Sequence, residues 1–255
     1  MKMDMNYKIL IGLILIITLF VNTAQAQEYG LLWSYETGDE VRSVSISSDG
    51  SDIAAGSLDD KVYLFEREGN LLWSYETGIS VESVSISSDG SYIAAGSLGK
   101  KVYLFERAGN LLWSYKTGGV VRSVSISSDG SYIAAGSYDH KVYLFERAGN
   151  LLWSYKTGGV VLSVSISSDG PYIAAGSLDD KVYLFVSVQV IIEEARNAIL
   201  SEKNKGYNIQ EAESLLTQAE NEFKAGNYSK ANELALKAKE KALQIAKQTE
   251  LLKKL

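Results

Sequence analysis

The stretch 31–70, "LLWSYETGDEVRSVSISSDGSDIAAGSLDDKVYLFEREGN", returns at 71–110 with 33 of its 40 positions identical. A third copy fills 111–150. A fourth starts at Leu151 and stops matching after Phe185; over its 35 residues it equals the third at 31. A fixed period of this length marks one supersecondary unit per copy. Within a copy, Leu31, Trp33 and Tyr35 alternate with smaller or polar residues, and Val44 and Ile46 alternate with serines. That is the period of two of a β-strand, not the 3.6 of a helix. "DIAAGS" and "KVYLF" are two further short apolar strands. The breaks between strands are turn chemistry: Ser48-Asp49-Gly50, Leu58-Asp59-Asp60 and Gly69-Asn70. Asp and Asn bond their own backbone there, and Gly supplies positive φ.

Four short antiparallel strands in about 40 residues is the arithmetic of a propeller blade. One such sheet cannot bury both faces alone, so copies stack. The expected fold is therefore mainly β: a β-propeller of four 40-residue, four-stranded blades over 27–187, with repeats at 31–70, 71–110, 111–150 and 151–185. A small C-terminal α-helical hairpin or bundle is expected over 188–255. The last copy supplies three strands, and the first begins with an extra one, Leu31 to Tyr35. That extra strand is expected to complete the last blade and close the ring, which removes exposed edges. Val186 to Val190 is the second candidate for the missing strand. Identical interfaces do not fix the number of neighbours, so a homodimeric eight-bladed ring stands beside the four-bladed monomer, with an open curved array third.

The segment "SVSISSDGSDIAAGSLDDKVYLFE" resembles the WD-repeat consensus. Phe65-Glu66, Phe105-Glu106 and Phe145-Glu146 stand where that family has its Trp-Asp pair; the fourth copy has Phe185-Val186. The resemblance implies a loop Asp at Asp59, Asp139 and Asp179, with Gly99 replacing it in copy two, while the family's Gly-His step is absent from every copy. "VYLFEREGNLLWSYETG" is similar to the repeats of quinoprotein (PQQ) propellers. That likeness implies docking of one blade on the next through a Gly-x-x-x-Trp segment: Gly69 with Trp73, Gly109 with Trp113 and Gly149 with Trp153.

Outside the repeats, Lys2 and Lys8 precede a 13-residue apolar run, Ile9 to Val21, and Ala24-Gln25-Ala26 gives a small-x-small cleavage pattern. Residues 1–26 are expected to be a signal peptide. The run is short of the roughly 20 apolar residues of a spanning helix. Membrane contact is expected only if that segment is retained, and the location is extracytoplasmic, secreted or cell-surface. After Val190 the period becomes helical. Ile191, Ala195, Ala198 and Ile199 share one face, Lys205-Gly206 breaks the run, and Asn208 with Glu211 has capping-box spacing. Ala212, Leu215, Leu216, Ala219 and Phe223 form a second stripe, Gly226-Asn227 turns the chain, and a long helix from Tyr228 to Leu252 follows. "AENEFKAGNYSKANELALKAKEKA" resembles one tetratricopeptide hairpin.

Residues 27–185 hold 12 basic against 20 acidic side chains, a net of −8, whereas 186–255 hold 11 against 10, a net of +1. An acidic main domain repels phosphate backbones, so nucleic acid is not an expected partner. The chain has no cysteine and one histidine, His140. Neither disulfides nor a multi-histidine metal site can be built. His140 reads as a surface substitution, and Asp59-Asp60 and Asp179-Asp180 as turn formers rather than calcium ligands. The fixed place of Trp33, Trp73, Trp113 and Trp153 points to packing. No nucleophile-base pair, phosphate loop or paired carboxylate is peculiar to one copy, so no catalytic, cofactor-binding or metal residues are expected.

Differences between copies fall at Asp39-Glu40, Arg42, Asp52 and Leu58-Asp59-Asp60 and their counterparts. These are strand starts and connections, where a rigid scaffold usually carries its binding surface; with so few differences, neutral drift among recent duplicates accounts for them equally well. The expected function is a non-enzymatic extracytoplasmic scaffold whose partner is a protein or cell-surface polymer. The alternatives are a degenerate quinoprotein-like enzyme or small-ligand sensor, and a surface-layer or adhesion component assembling through its helices.

Overall fold

Turn residues at fixed places in each copy cut the chain into hairpins, and a computed structural model describes the result for residues 29–252. The expected signal segment lies outside the described residues. Four antiparallel sheets follow one another. The first is β1 (Val41–Ile46), β2 (Asp52–Ser57), β3 (Lys61–Glu66) and β4 (Leu71–Glu76), and the second is β5 (Val81–Ile86), β6 (Tyr92–Ser97), β7 (Lys101–Glu106) and β8 (Leu111–Lys116). The third is β9 (Val121–Ile126), β10 (Tyr132–Ser137), β11 (Lys141–Glu146) and β12 (Leu151–Lys156), and the fourth has three strands, β13 (Val161–Ile166), β14 (Tyr172–Ser177) and β15 (Lys181–Val186). Every sheet is a meander in chain order. Each four-stranded sheet takes its last strand, "LLWSY", from the start of the next sequence copy, so sheet and copy are out of phase by one strand.

Register is the same in each sheet. Val44 faces Ala55, Ala54 faces Leu64 and Leu64 faces Trp73. A bulge interrupts the first ladder between Val41 and Ser43, and another the third between Leu64 and Phe65. Both recur in the second and third sheets. Bulges add local twist to a strand pair.

The sheets bury their faces against each other. Ala54, Val62 and Leu64 of the first sheet pack with Val81, Val84, Ile86, Ile93 and Phe105 of the second. The same positions one copy later form the next core, and the series ends with Ala134 and Val142 on Val161, Val164 and Ile166. The edge strands β1, β5, β9 and β13 are laced together by serines. Ser43 Oγ accepts the Val84 amide at 3.0 Å and Ser45 Oγ the Ile86 amide at 3.1 Å. Ser83, Ser85, Ser123 and Ser125 repeat the pattern. This is why the inward serines sit between apolar residues in the sequence.

The ring closure expected from the N-terminal strand is not formed. Residues 29–40 carry no strand, and the fourth sheet stays three-stranded. The outward faces of the first and fourth sheets remain exposed at Val44, Ile46, Val182 and Leu184. Nor does Val186 to Val190 serve: β15 ends at Val186, and Ser187 caps a helix by accepting the Val190 amide.

That helix, α1 (Val188–Asn204), is followed by α2 (Gln210–Lys224) and α3 (Tyr228–Leu252). Three helices, rather than a lone hairpin, share one core of Ile191, Ile192, Ala195, Ile199, Ala212, Leu216 and Ala219 with Ala235, Ala238 and Ala242. The buried alanines let α3 lie close to both partners. Lys205 ends α1, and Gly206 follows with φ of 82°. The Asn208–Glu211 capping box is not made: α2 is capped at Ile209, and Asn208 Oδ1 accepts only the Gln210 amide at 3.3 Å. The helix starts one residue too late for the box. Among the described residues, no helix is long and apolar enough to cross a membrane.

Candidate functional site

The positions where copies differ are mostly spent on the joints between sheets. Asp52 is buried, and Arg107 of the next sheet reaches it with Nε at 3.1 Å from Oδ1 and 3.0 Å from Oδ2 and with Nη2 at 2.9 Å from Oδ1. Hydrogen bonding to Asp52 pushes the Arg107 guanidinium pKa up. One copy later the same joint has Tyr92 in place of Asp52, and the Arg147 guanidinium lies over its ring at 4.4 Å. Glu82 pairs with Arg122 across the second and third sheets. These substitutions are thus coupled contacts between neighbouring sheets. Sequence spacing gave no sign of this, because partners lie 55 and 40 residues apart.

The loop aspartates are structural as well. Asp59 Oδ2 accepts the Tyr63 hydroxyl at 2.5 Å and the Gly38 amide at 2.8 Å. Asp139 does the same with Tyr143 and Gly118, and Asp179 with Tyr183 and Gly158. In these three copies the partner of the loop aspartate is thus the tyrosine four residues on. Burial raises the Tyr63 and Tyr143 pKa values, and the aspartate bonds raise them further. In copy two, with Gly99, the Tyr103 hydroxyl turns to the Thr77 carbonyl at 3.3 Å. The residue after each loop position, Asp60, Lys100, His140 and Asp180, has φ of 63–70°. His140 therefore occupies a left-handed turn position, and its carbonyl accepts the Thr157 amide at 2.8 Å.

At the opposite turns, Ser47 Oγ and the Ser51 amide donate to Asp49 Oδ1 at 2.8 and 2.9 Å. The Ser51 amide, with Ser47 and Ser51 hydroxyls behind it, holds the Asp49 pKa down at about 2. Asp129 is held at about 2 by the Ser131 side chain first, then the Ser131 amide and Ser127.

Tryptophans dock one sheet on the next, but not on the glycine four residues before them. Trp73 Nε1 donates to the Arg107 carbonyl at 2.9 Å and its ring covers Gly109; Trp113 does the same to Arg147, at 2.8 Å, and Gly149. The Gly-x-x-x-Trp segments of 69–73 and 109–113 thus dock one sheet on the next, each tryptophan meeting the glycine of the following segment. Trp153 instead rests on Phe185, with ring centroids 4.7 Å apart.

A shallow, solvent-open groove of about 750 Å³ lies over the joint between the second and third sheets, lined by Tyr92, Glu106, Leu112, Trp113, Tyr132 and Arg147 among others. Arg147 is fixed from behind, its Nε donating to Gly130 O at 3.2 Å and its Nη2 to Asp129 O at 2.5 Å. The lining combines aromatic faces and the apolar Leu112 with charges of both signs. Among the described residues, no cluster of three or more His, Asp or Glu could hold a metal ion.

No curated protein matches the chain. A family model described as "Family of unknown function (DUF5711)" matches residues 22–182, which covers the first three sheets and most of the fourth. The chain therefore belongs to this family of unknown function.

Proposed function

We propose that this protein is a non-enzymatic extracytoplasmic scaffold that uses WD/PQQ-like propeller blades to bind a protein or a surface polymer. The observation that supports the reading best is the solvent-open groove between the second and third sheets, with Trp113, Tyr92, Tyr132 and Leu112 beside Glu106 and Arg147. Its floor is pinned by hydrogen bonds across two sheets, so the ligand meets a preorganised surface, which lowers the ordering cost of binding. The basic and apolar N-terminal run, Lys2 to Val21, supports export.

Co-sedimentation of the purified protein with polymer and protein fractions of the producer's envelope tests this. Leu112 is half-exposed in the groove, so Leu112→Asp leaves the fold intact. Retention on one fraction, lost by at least about tenfold in the variant at unchanged Tm, is the expected result. Retention on neither fraction, or equal retention of the variant, would overturn it.

A further inference from the structure

The two ends of the sheet array carry matching halves of the joint that the chain already makes three times. In each internal joint, one sheet presents a valine and a leucine of its third strand. The next sheet covers them with two valines and an isoleucine of its first. Val62, Val102 and Val142 are 0% exposed there, whereas Val182 at the same place in the fourth sheet is 84% exposed and Leu184 70%. At the other end, Val44 is 67% and Ile46 63% exposed, whereas Val84, Val124 and Val164 are buried. The glycines report the same vacancy. A Cβ added at Gly56, Gly96 or Gly136 would come within 2.6–2.7 Å of Val81, Val121 or Val161, but at Gly176 it meets nothing within 4 Å.

The polar fittings match too. Ser123 and Ser125 accept the Val164 and Ile166 amides. Ser163 and Ser165, and the Val44 and Ile46 amides, hold the same places at the two ends, where no neighbouring sheet stands. Tyr35 lies 4.8 Å from Phe65, centroid to centroid, the spacing Tyr75 keeps to Phe105. Tyr75 belongs to the fourth strand of the preceding sheet. Tyr35 therefore stands where the fourth strand of a sheet before the first would run, and the fourth sheet is the one that lacks such a strand.

We infer that a second copy of this chain covers both ends, giving a closed ring of eight sheets. The fourth sheet of each copy seats on the first sheet of the other, and residues 31–36 of each copy add to the free edge of β15 in its partner. Head-to-tail contacts of this kind close into rings or run on as filaments. Eight sheets is within the usual range of about 4–8 for closed propellers, and closure hides both apolar faces and the free β15 edge.

The test is the sedimentation mass of the purified protein over a wide concentration range, for wild type, Gly176→Val and Val44→Lys. Neither substitution meets an obstacle within one chain, because Gly176 faces open space and Val44 faces solvent. Twice the single-chain mass is expected for wild type, falling to the single-chain mass in both variants at unchanged far-UV circular dichroism. If Gly176→Val alone misfolds, Val44→Lys on the opposite face carries the test. A monomeric wild type, a polydisperse series of longer assemblies, or a dimer indifferent to Val44→Lys would each overturn the inference.

Discussion

Arg107 and Asp52 form a two-pronged pair across the joint between the first and second sheets, with the carboxylate buried and the guanidinium half-exposed. In the next joint a tyrosine replaces the aspartate, and Arg147 stacks on it. Removing one partner of a buried pair leaves an uncompensated charge. Arg107→Ala is therefore expected to cost about 1–3 kcal/mol, lessened by the solvent around the guanidinium. Asp52→Tyr, which installs the pairing of the neighbouring joint, is expected to cost less than half of that. Urea midpoints of the two variants check the order.

Gly109 combines φ of 90° with the Trp73 ring 2.9 Å from where a Cβ would stand. Gly109→Ala is expected to lose about 2–4 kcal/mol, from backbone strain and a clash with a ring that cannot withdraw. Trp73→Phe keeps most of the packing and loses the bond to the Arg107 carbonyl, at about 1 kcal/mol. Thermal unfolding of both variants separates the two effects.

The loop network predicts unequal costs for the same substitution. Tyr143→Phe strips Asp139 of a 2.5 Å donor, whereas Tyr103→Phe removes one bond of 3.3 Å to a carbonyl. Tyr143→Phe is expected to destabilise by about 1–2 kcal/mol and Tyr103→Phe by under about 0.5 kcal/mol. Chemical denaturation at neutral pH measures the difference.

The pH profile follows from the direction of the shifts. Asp49 and Asp129 titrate at about 2 when folded against 3.8 ordinarily, so the stability they contribute is complete above about pH 4 and fades as pH falls through 2. The tyrosines Tyr63 and Tyr143 are raised above their ordinary 10, so their contribution is complete below pH 10 and is lost as pH rises beyond it. Urea midpoints should be flat in between, fall on the acid side below about pH 4, and fall on the alkaline side above about pH 10. A midpoint that declines steadily from pH 8 to 5 would contradict this account.

In the helical region, Ala235, Ala238 and Ala242 are fully buried along α3. Ala238→Leu forces extra volume between α3 and its neighbours and is expected to cost about 1–3 kcal/mol. Leu243, half-exposed on the same helix, should accept Ala for about 0.5 kcal/mol or less. Circular dichroism melts at 222 nm compare them.

Local chemistry was readable from the residues alone. The Asp-Gly and Gly-Asn turns fix where strands end, and the alternation of Val44 and Ile46 with serines marks a strand with one apolar side. The phase of the copies also shows in the sequence, since "LLWSY" opens the first copy and the last copy ends one strand short. What lay beyond reach was the choice of partner over 34 to 55 residues. Nothing local tells Trp73 to pack on Gly109 rather than Gly69, or Asp52 to meet Arg107. The number of sheets in a closed ring is not legible either: it depends on the angle accumulated over successive joints, and no residue encodes that angle by itself. The groove at Tyr92, Trp113 and Arg147 was likewise hidden, because it is built by two sheets together.

The serine lacing between edge strands has a genetic consequence. Each joint refers only to the copy before and the copy after, always at the same offset. Deleting or inserting a whole 40-residue copy in the interior would restore the serine contacts, though not the copy-specific pairs such as Asp52 with Arg107. Unequal exchange between its own coding repeats can therefore change the length of the array while keeping the serine lacing in register at every new joint.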